Sequence, residues 1–186
     1  MVAAKDNGGF YSYELGDWHI IALNTGQCEG RQKPTAADPA AVPRTRCSCG
    51  WSPTCRPTKS SARWPTSTIP CSPRARRGGS PVYAKAIWDL LYSYYADVVV
   101  NGHEHQYERF ALQDPEGVAD SARGIAEFVV GTGRRKLGGF GTTAENSEVR
   151  NSDTYSVIKL TLRRGSYERE FVPIAGQTFT DSGSPS

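Results

Sequence analysis

The pattern of apolar and polar positions predicts ordered elements toward both ends of the chain and none across a long middle stretch. Residues 10–25 hold two short apolar and aromatic runs separated by Gly16 and Asp17, which predicts a hairpin or two neighbouring strands. The continuous apolar run Val98–Val100 is typical of a strand covered on both faces, as in a sheet layered with helices.

A helix is predicted just before this run, from Pro81 onward. Its apolar residues recur at helical spacing after a proline, a residue favoured in the first turn of a helix. The residues predicted to face a sheet are Tyr83, Ile87, Leu90, Leu91 and Tyr94.

The C-terminal third is predicted to be a run of strands. Residues 109–114 and 126–133 have the composition of short strands. Residues 154–174 alternate apolar and polar side chains on both sides of Arg164 and Gly165, which predicts a hairpin. The polar tail, residues 176–186, is expected to be frayed.

Residues 27–80 differ in composition from the rest of the chain. They hold ten Lys and Arg, two acidic residues, all five cysteines and eight of the twelve prolines, whereas the whole chain of 186 residues has a net charge of +3. Val42 and Ile69 are the only aliphatic residues there that are larger than alanine. Because so little apolar area cannot offset the entropy of ordering the segment, we expect it to be disordered.

The charge and the cysteines of this segment do not define a partner. A nucleic-acid interface would spread basic residues over a folded face with aromatics between them, so we expect no nucleic-acid partner. The spacing of Cys47, Cys49, Cys55 and Cys71 matches neither a disulfide framework nor paired zinc knuckles. Since the chain has no long apolar run and no signal-peptide pattern, we also expect no membrane partner.

The candidate chemistry lies in the motif GHEH, residues 102–105, which follows the apolar run. If extended backbone persists through Glu104, His103 and His105 share one face at the carboxyl end of the strand, where open sheets bind ligands. Imidazole binds zinc, iron and related metals. An isolated His-x-His is more often a surface or hydrogen-bonded pair, so the spacing alone leaves both interpretations open.

Two other stretches have weaker claims to a function. His19 lies within an apolar strand and is interpreted as a structural residue. The stretch GTGRRKLGGFG, residues 131–141, lacks the P-loop pattern and has no helix directly after it. We therefore interpret it as a glycine-rich loop and not as a phosphate cradle.

With these motifs the chain resembles the calcineurin-like metallophosphoesterases, specifically the purple acid phosphatase-like branch. The most specific match is GHEHQYER after the VVV strand, and the similarity covers about residues 10–25 and 81–183. The other similar stretches are YSYELGDWHIIALNT, PVYAKAIWDLLY, ARGIAEFVVGTG and the segment from NSEVRNSDTYSVIKLTL to EFVPIAGQTFTDSG.

The resemblance implies an α/β fold, a calcineurin-like metallophosphoesterase sandwich of two mixed sheets flanked by helices. It also implies a dinuclear metal centre of Fe, Zn or Mn and a phosphate-ester substrate, because two close metal ions clamp the phosphate and generate the nucleophile. His103 and His105 match the family's last metal-binding motif, one histidine for each metal. Tyr107, Glu108 and Arg109 match the residues that follow it, with a structural role.

Departures from the family pattern lead us to expect an incomplete site. The family's earlier metal-binding motifs, including the bridging carboxylate, precede the YSY strand and are missing, and so is its His-His-Pro motif, which belongs within residues 27–80. The family's GTGG appears as GTGRR, with Arg134 at the second glycine of the pair. Synonymous codons for residues 51–78, read two nucleotides later, can encode the His-His-Pro motif in context. We therefore interpret residues 27–80 as a frameshifted segment, with a genuine Pro-rich insertion as the alternative.

These expectations combine into one function and one alternative. Residues 1–186 are expected to be the C-terminal portion of one metallophosphoesterase domain, its N-terminal part missing. In complete form it would be a metal-dependent phosphoric ester hydrolase, and this chain alone would be impaired. The alternative is a non-catalytic remnant or binding module that retains part of the sheet. Relatives are often exported, and the compartment and oligomeric state are left open.

Overall fold

The computed structural model describes residues 11–23, 63–67, 81–133 and 136–184. No helix in these ranges is long and apolar enough to cross a membrane. The described elements are β1 Tyr11–Leu15, β2 Trp18–Leu23, β3 Arg63–Ser67, α1 Pro81–Ser93, β4 Val98–Asn101, β5 Tyr107–Phe110, β6 Ala126–Val130, β7 Ser147–Asn151, β8 Ser156–Arg163, β9 Ser166–Pro173 and β10 Ser182–Gly183.

The strands form two sheets. Seven of them make a mixed sheet, the large sheet, in the order β1-β2-β3-β4-β6-β5-β7, with β2, β3, β4 and β6 parallel to one another. The other three make an antiparallel sheet, the small sheet, in the order β10-β9-β8. The expectation of mixed sheets is therefore confirmed for the large sheet, and the three described strands of the small sheet are antiparallel.

Strand β3 lies within the segment of aberrant composition. It pairs in parallel with β2 on one side and with β4 on the other. Residues 24–62 and 68–80, which include all five cysteines, lie outside the described residues. The disorder of the whole segment and its origin in a frameshift stay predictions.

The β1 and β2 strands form an antiparallel hairpin in which Leu15 lies opposite Trp18. Gly16 has φ of 62°, a left-handed value at which glycine is favoured, so Gly16 and Asp17 can close the two strands as a two-residue turn. Of the two possibilities that the sequence left open, the hairpin is confirmed.

Helix α1 covers one face of the large sheet. Trp88 and Leu91 are buried with Val99 of β4, whereas Leu90 is 39 % exposed. The helix therefore exists where it was predicted, but the prediction that Leu90 faces the sheet is wrong. Trp88 takes a core position instead, because its Nε1 donates to the carbonyl of Asp114 at 2.9 Å and the buried indole N–H is satisfied.

The small sheet covers the opposite face of the large sheet. Val98 belongs to the core between the sheets, while its neighbour Val99 belongs to the core under the helix, as strand alternation requires. Aromatic rings fill the core between the sheets, with the centroids of Tyr107 and Phe171 4.8 Å apart. The layers are thus helix, large sheet and small sheet. Among the described residues α1 is the only flanking helix, fewer than the resemblance implies.

The C-terminal tail packs on the small sheet through residue 184, so the expectation that it is frayed is wrong. The ring of Phe179 meets Phe171 edge-on with centroids 4.8 Å apart. The N–H of Phe171 donates to the carbonyl of Asp181 at 2.8 Å, and residues 182–183 pair with β9 as β10. Composition understated the order of the tail because one aromatic and one acidic side chain anchor it.

Candidate functional site

The histidine motif lies in a loop at the carboxyl end of a buried strand in the middle of the large sheet. Strand β4 ends at Asn101 and runs parallel to β3 and β6. Residues 102–106, hereafter the histidine loop, connect β4 to β5. The carboxyl ends of parallel strands are where open α/β sheets bind ligands, so His103 and His105 lie at the expected edge.

The backbone of the histidine loop is folded into tight turns, so the extended conformation predicted through Glu104 is wrong. The N–H of Glu104 donates to the carbonyl of Gly102 at 3.0 Å, and the N–H of Gln106 donates to the carbonyl of Glu104 at 2.9 Å. With φ of 74°, His103 occupies the rare and strained form of such a three-residue turn. Strain of this kind costs about 1–3 kcal/mol and persists where the surroundings hold it, which is common at functional sites.

The glycine-rich stretch 131–141, of which residues 131–133 and 136–141 are described and hereafter called the glycine loop, holds the histidine loop from one side. The N–H of Gly131 donates to the carbonyl of Gln106 at 3.0 Å, and the N–H of Gly138 donates to the carbonyl of His105 at 2.8 Å. A Cβ atom on Gly131 would lie 1.8 Å from the carbonyl oxygen of Glu104, so only glycine permits this approach. The sequence predicted the loop but gave no sign of its contact with the histidines.

Asn101, the last residue of β4, belongs to a buried polar cluster that the sequence analysis missed. Its Nδ2 donates to Oε1 of Glu127 at 2.7 Å, and Nε2 of Gln113 donates to Oε2 of the same carboxylate at 2.8 Å. All three residues are at most 3 % exposed. The available signal was an acidic residue inside the apolar run AEFVV, because a buried carboxylate requires hydrogen-bond donors around it.

Two buried oxygens next to the histidines have no hydrogen-bond partner within the described part of the chain. They are Oδ1 of Asn101 and Oε1 of Glu104. Buried oxygens are nearly always satisfied by a donor, a water or a cation, so these atoms are available to a partner that the described residues do not supply.

The described residues do not by themselves form the dinuclear centre that the resemblance implies. Across residues 11–23, 63–67, 81–133 and 136–184, no three or more His, Cys, Asp or Glu side chains come together in a way that could hold a metal ion. His103 is exposed and His105 is half-buried, and these two imidazoles are the ligands that the resemblance assigns to the histidine loop. Each metal of a pair needs several further ligands.

The residues after the histidine loop anchor it to the C-terminal tail. Tyr107 and Arg109 both donate to Oδ2 of Asp181, at 2.8 and 2.7 Å. Burial and the hydrogen bond to Asp181 raise the pKa of Tyr107 well above its ordinary value, so its hydroxyl stays a donor. Burial acts to lower the pKa of Arg109, but the carboxylates of Asp181 and Glu148 give a net rise. These contacts agree with the structural role that the resemblance implies.

His19 lies on β2, directly opposite Glu14 of β1. Its Nδ1 is 2.5 Å from Oε1 of Glu14, and the imidazole is mostly buried within the hairpin. This cross-strand pair supports the interpretation of His19 as a structural residue.

Comparisons with known proteins agree with this architecture at the level of fold. No family model and no curated protein matches the chain. Among solved structures, it is similar to the purple acid phosphatase PPD1 from yellow lupin (Lupinus luteus) seeds, with a TM-score of 0.57 and 17 % identity over 94 % of this chain and 32 % of that chain. It is also similar to GAP50, described as the anchor in the inner membrane complex of Plasmodium, with a TM-score of 0.60 and 16 % identity over 95 % of this chain and 53 % of that chain.

These similarities support a calcineurin-like phosphoesterase fold, and at such identities they show the fold alone. The chain spans about a third of the lupin protein and about half of the Plasmodium protein. The two neighbours also differ in kind, since one is named as a phosphatase and the other as an anchor.

Proposed function

We propose that the chain carries the histidine arm of a metal-dependent phosphoric ester hydrolase of the purple acid phosphatase type. The observation that carries the proposal is the histidine loop itself. Two imidazoles follow the central parallel strand of a phosphoesterase-like fold, His103 has a strained φ, and the glycine loop holds the backbone directly after it. Strain maintained by surrounding contacts is typical of binding sites.

His103 and His105 are the residues that would hold metal. A metal pair, when bound, would neutralise the phosphate ester and supply an activated nucleophile. Asn101 and the glycine loop would fix the backbone from which the imidazoles project. Because the described residues offer two metal-binding side chains and not the full set, we expect turnover by this chain to be weak or absent.

A second candidate is a non-catalytic binding module that keeps the sandwich. The observation in its favour is the similarity to GAP50, which is described as an anchor and of which the chain covers 53 %. In this case the tail and the small sheet would preserve the fold, and His103 and His105 would not need to bind metal.

Metal content and phosphatase activity of the purified full chain distinguish these proposals. The chain is incubated with Zn²⁺ or Mn²⁺, desalted and analysed for bound metal, and p-nitrophenyl phosphate turnover is measured with and without a chelator. We expect bound metal that is lost in the His103→Ala/His105→Ala variant and retained in the matched control His19→Ala. Metal retention by the double variant would contradict the first proposal, and absence of metal from the unmodified chain would favour the second. Two metals with chelator-sensitive turnover would contradict the expected impairment.

A further inference from the structure

The glycine loop contacts the histidine loop at two points and meets Arg150 just beyond the second of them. Its Gly131 and Gly138 N–H groups donate to the carbonyls of Gln106 and His105, at 3.0 and 2.8 Å. These are backbone contacts, so they restrain the position of the main chain that carries the His105 imidazole.

Arg150 of β7 holds the glycine loop at Phe140, two residues after Gly138. Its guanidinium lies over the ring of Phe140, with Cζ 3.9 Å from the ring centroid. Its Nη1 donates to Oγ1 of Thr143 at 2.7 Å, just beyond the loop. A planar guanidinium is suited to stacking on a ring while its edge donates hydrogen bonds, which an ammonium group does less well.

The opposite side of the same guanidinium returns to the histidine loop through Glu108. Nε of Arg150 lies 3.4 Å from Oε1 of Glu108, an ion pair without hydrogen-bond geometry, and the two side chains are 22 % and 10 % exposed. Ser147 donates to that oxygen at 2.6 Å, and Nε2 of Gln106 donates to the other carboxylate oxygen at 3.3 Å. The contacts thus close a ring from His105 through the glycine loop, Arg150 and Glu108 to Gln106.

We propose that Arg150 is a positioning residue for His105, acting through Phe140 and the glycine loop. The ring holds His105 at its carbonyl and Gln106 at its side-chain amide, directly after the strained turn at His103. Removing the guanidinium frees Phe140, two residues from Gly138, and so loosens the hydrogen bond from Gly138 to His105. The inference rests on the proposed function only where it treats His105 as a metal ligand.

The test uses the ¹⁵N-labelled full chain and two measurements, hydrogen exchange of the Gly138 amide and the dissociation constant for Zn²⁺. In Arg150→Ala we expect exchange at Gly138 to be several-fold faster while amides of the β8–β9 hairpin are unchanged. We expect Zn²⁺ affinity to fall about tenfold, as for residues that orient metal ligands. Arg150→Lys should restore part of the protection of the Gly138 amide and part of the Zn²⁺ affinity, because it keeps the charge near Glu108 without the planar stack.

The matched control is Arg163→Ala, which removes an arginine paired with Glu168 on the small sheet and should change neither measurement. Phe140→Leu removes the stacked ring and carries the test if Arg150→Ala does not fold. Unchanged Gly138 exchange and Zn²⁺ affinity in both Arg150→Ala and Phe140→Leu would overturn the proposal. If the unmodified chain binds no Zn²⁺, the proposed function fails, and the exchange of Gly138 alone still decides whether Arg150 positions the loop.

Discussion

The β8–β9 hairpin and the histidine loop represent opposite ways in which a sequence determines a structure. In the hairpin, every residue from Ser156 to Arg163 has an antiparallel partner in β9, and Gly165 with φ of 73° closes the turn. Ile158 packs inward, while its neighbour Val157 is 59 % exposed. In the histidine loop, the backbone follows no regular pattern and its conformation depends on glycines that come much later in the chain.

The difference shows which parts of the structure neighbouring residues in the sequence are sufficient to determine. The hairpin register follows from alternation and a two-residue turn, both of which are contained in neighbouring residues. The histidine loop is restrained by Gly131, Gly138 and Asp181, whose contacts arise only when the whole fold assembles. We therefore expect substitutions to disturb the site even at positions whose side chains take no part in metal binding.

The largest effect is expected at Asp181, which connects the two regions. Asp181→Ala removes the acceptor of both Tyr107 and Arg109 and leaves the Arg109 charge, whose side chain is 15 % exposed, without its more buried partner. Breaking a buried ion pair of this kind costs about 3 kcal/mol or more in unfolding free energy. Urea unfolding measures it, with the exposed Asp153→Ala as control. Equal stability of the two variants would show that the tail does not brace the site.

A smaller loss is expected when the glycine loop is pushed away from the histidines. In Gly131→Ala the new Cβ would collide with the carbonyl of Glu104, and we expect a loss of about 2 kcal/mol in unfolding free energy. Gly133→Ala is the matched control, because nothing lies within 4 Å of a Cβ at that position. Chemical shifts of the histidine loop should move only in the first variant. Similar shifts in both variants would contradict the close approach at Gly131.

Alkaline pH should weaken the contact between the two sheets. Burial raises the pKa of Tyr167 from an ordinary 10 to about 12, and burial with the Asp181 hydrogen bond also raises the pKa of Tyr107. The folded chain therefore keeps protons that the unfolded chain releases above pH 10. The stabilisation is complete below pH 10 and is lost as pH rises through about 12. Absorbance at tyrosinate wavelengths should show a late phase that coincides with unfolding, and Tyr167→Phe should reduce it. Ionisation of every tyrosine before any unfolding would refute this.

The smallest effect is expected on the outer surface of the hairpin. Lys159 and Glu170 form a cross-strand pair at 2.9 Å, and their side chains are 63 % and 50 % exposed. Exposed pairs contribute little, because solvent screens them and two flexible side chains must be held together. Lys159→Ala should leave the thermal midpoint and the hairpin register unchanged. A clear drop in the midpoint would mean that the hairpin depends on side-chain pairs more than on its pattern.

The regular elements were predictable because their signals are local. The β1–β2 hairpin, the strand at Val98–Val100, helix α1 and the C-terminal hairpin all follow from spacing. The buried face of α1 was not predictable, because the indole of Trp88 donates its hydrogen bond to a distant loop. The packing of Phe179 and Asp181 was hidden for the same reason, since the tail composition is polar.

The position of the histidine motif in the fold was predictable, and its geometry was not. The sequence located His103 and His105 at a strand end, whereas the turn at His103 and the Asn101–Glu127 hydrogen bond depend on long-range contacts. For residues 27–80, disorder and a frameshift origin stay predictions, and the structure describes only the backbone of β3 there. Resequencing the coding DNA tests the frameshift hypothesis, and an unambiguous read in the present frame together with homologues that share the Pro/Arg-rich segment would contradict it.

A Zn²⁺ titration of the full chain, followed through the imidazole nitrogen resonances of its histidines, tests most directly whether the histidine loop binds metal. We predict that the resonances of His103 and His105 shift together at the same Zn²⁺ concentration, while those of His19 do not move. Independent shifts of His103 and His105, or a response at His19 alone, would contradict the account of the histidine loop as the metal-binding arm of this fold.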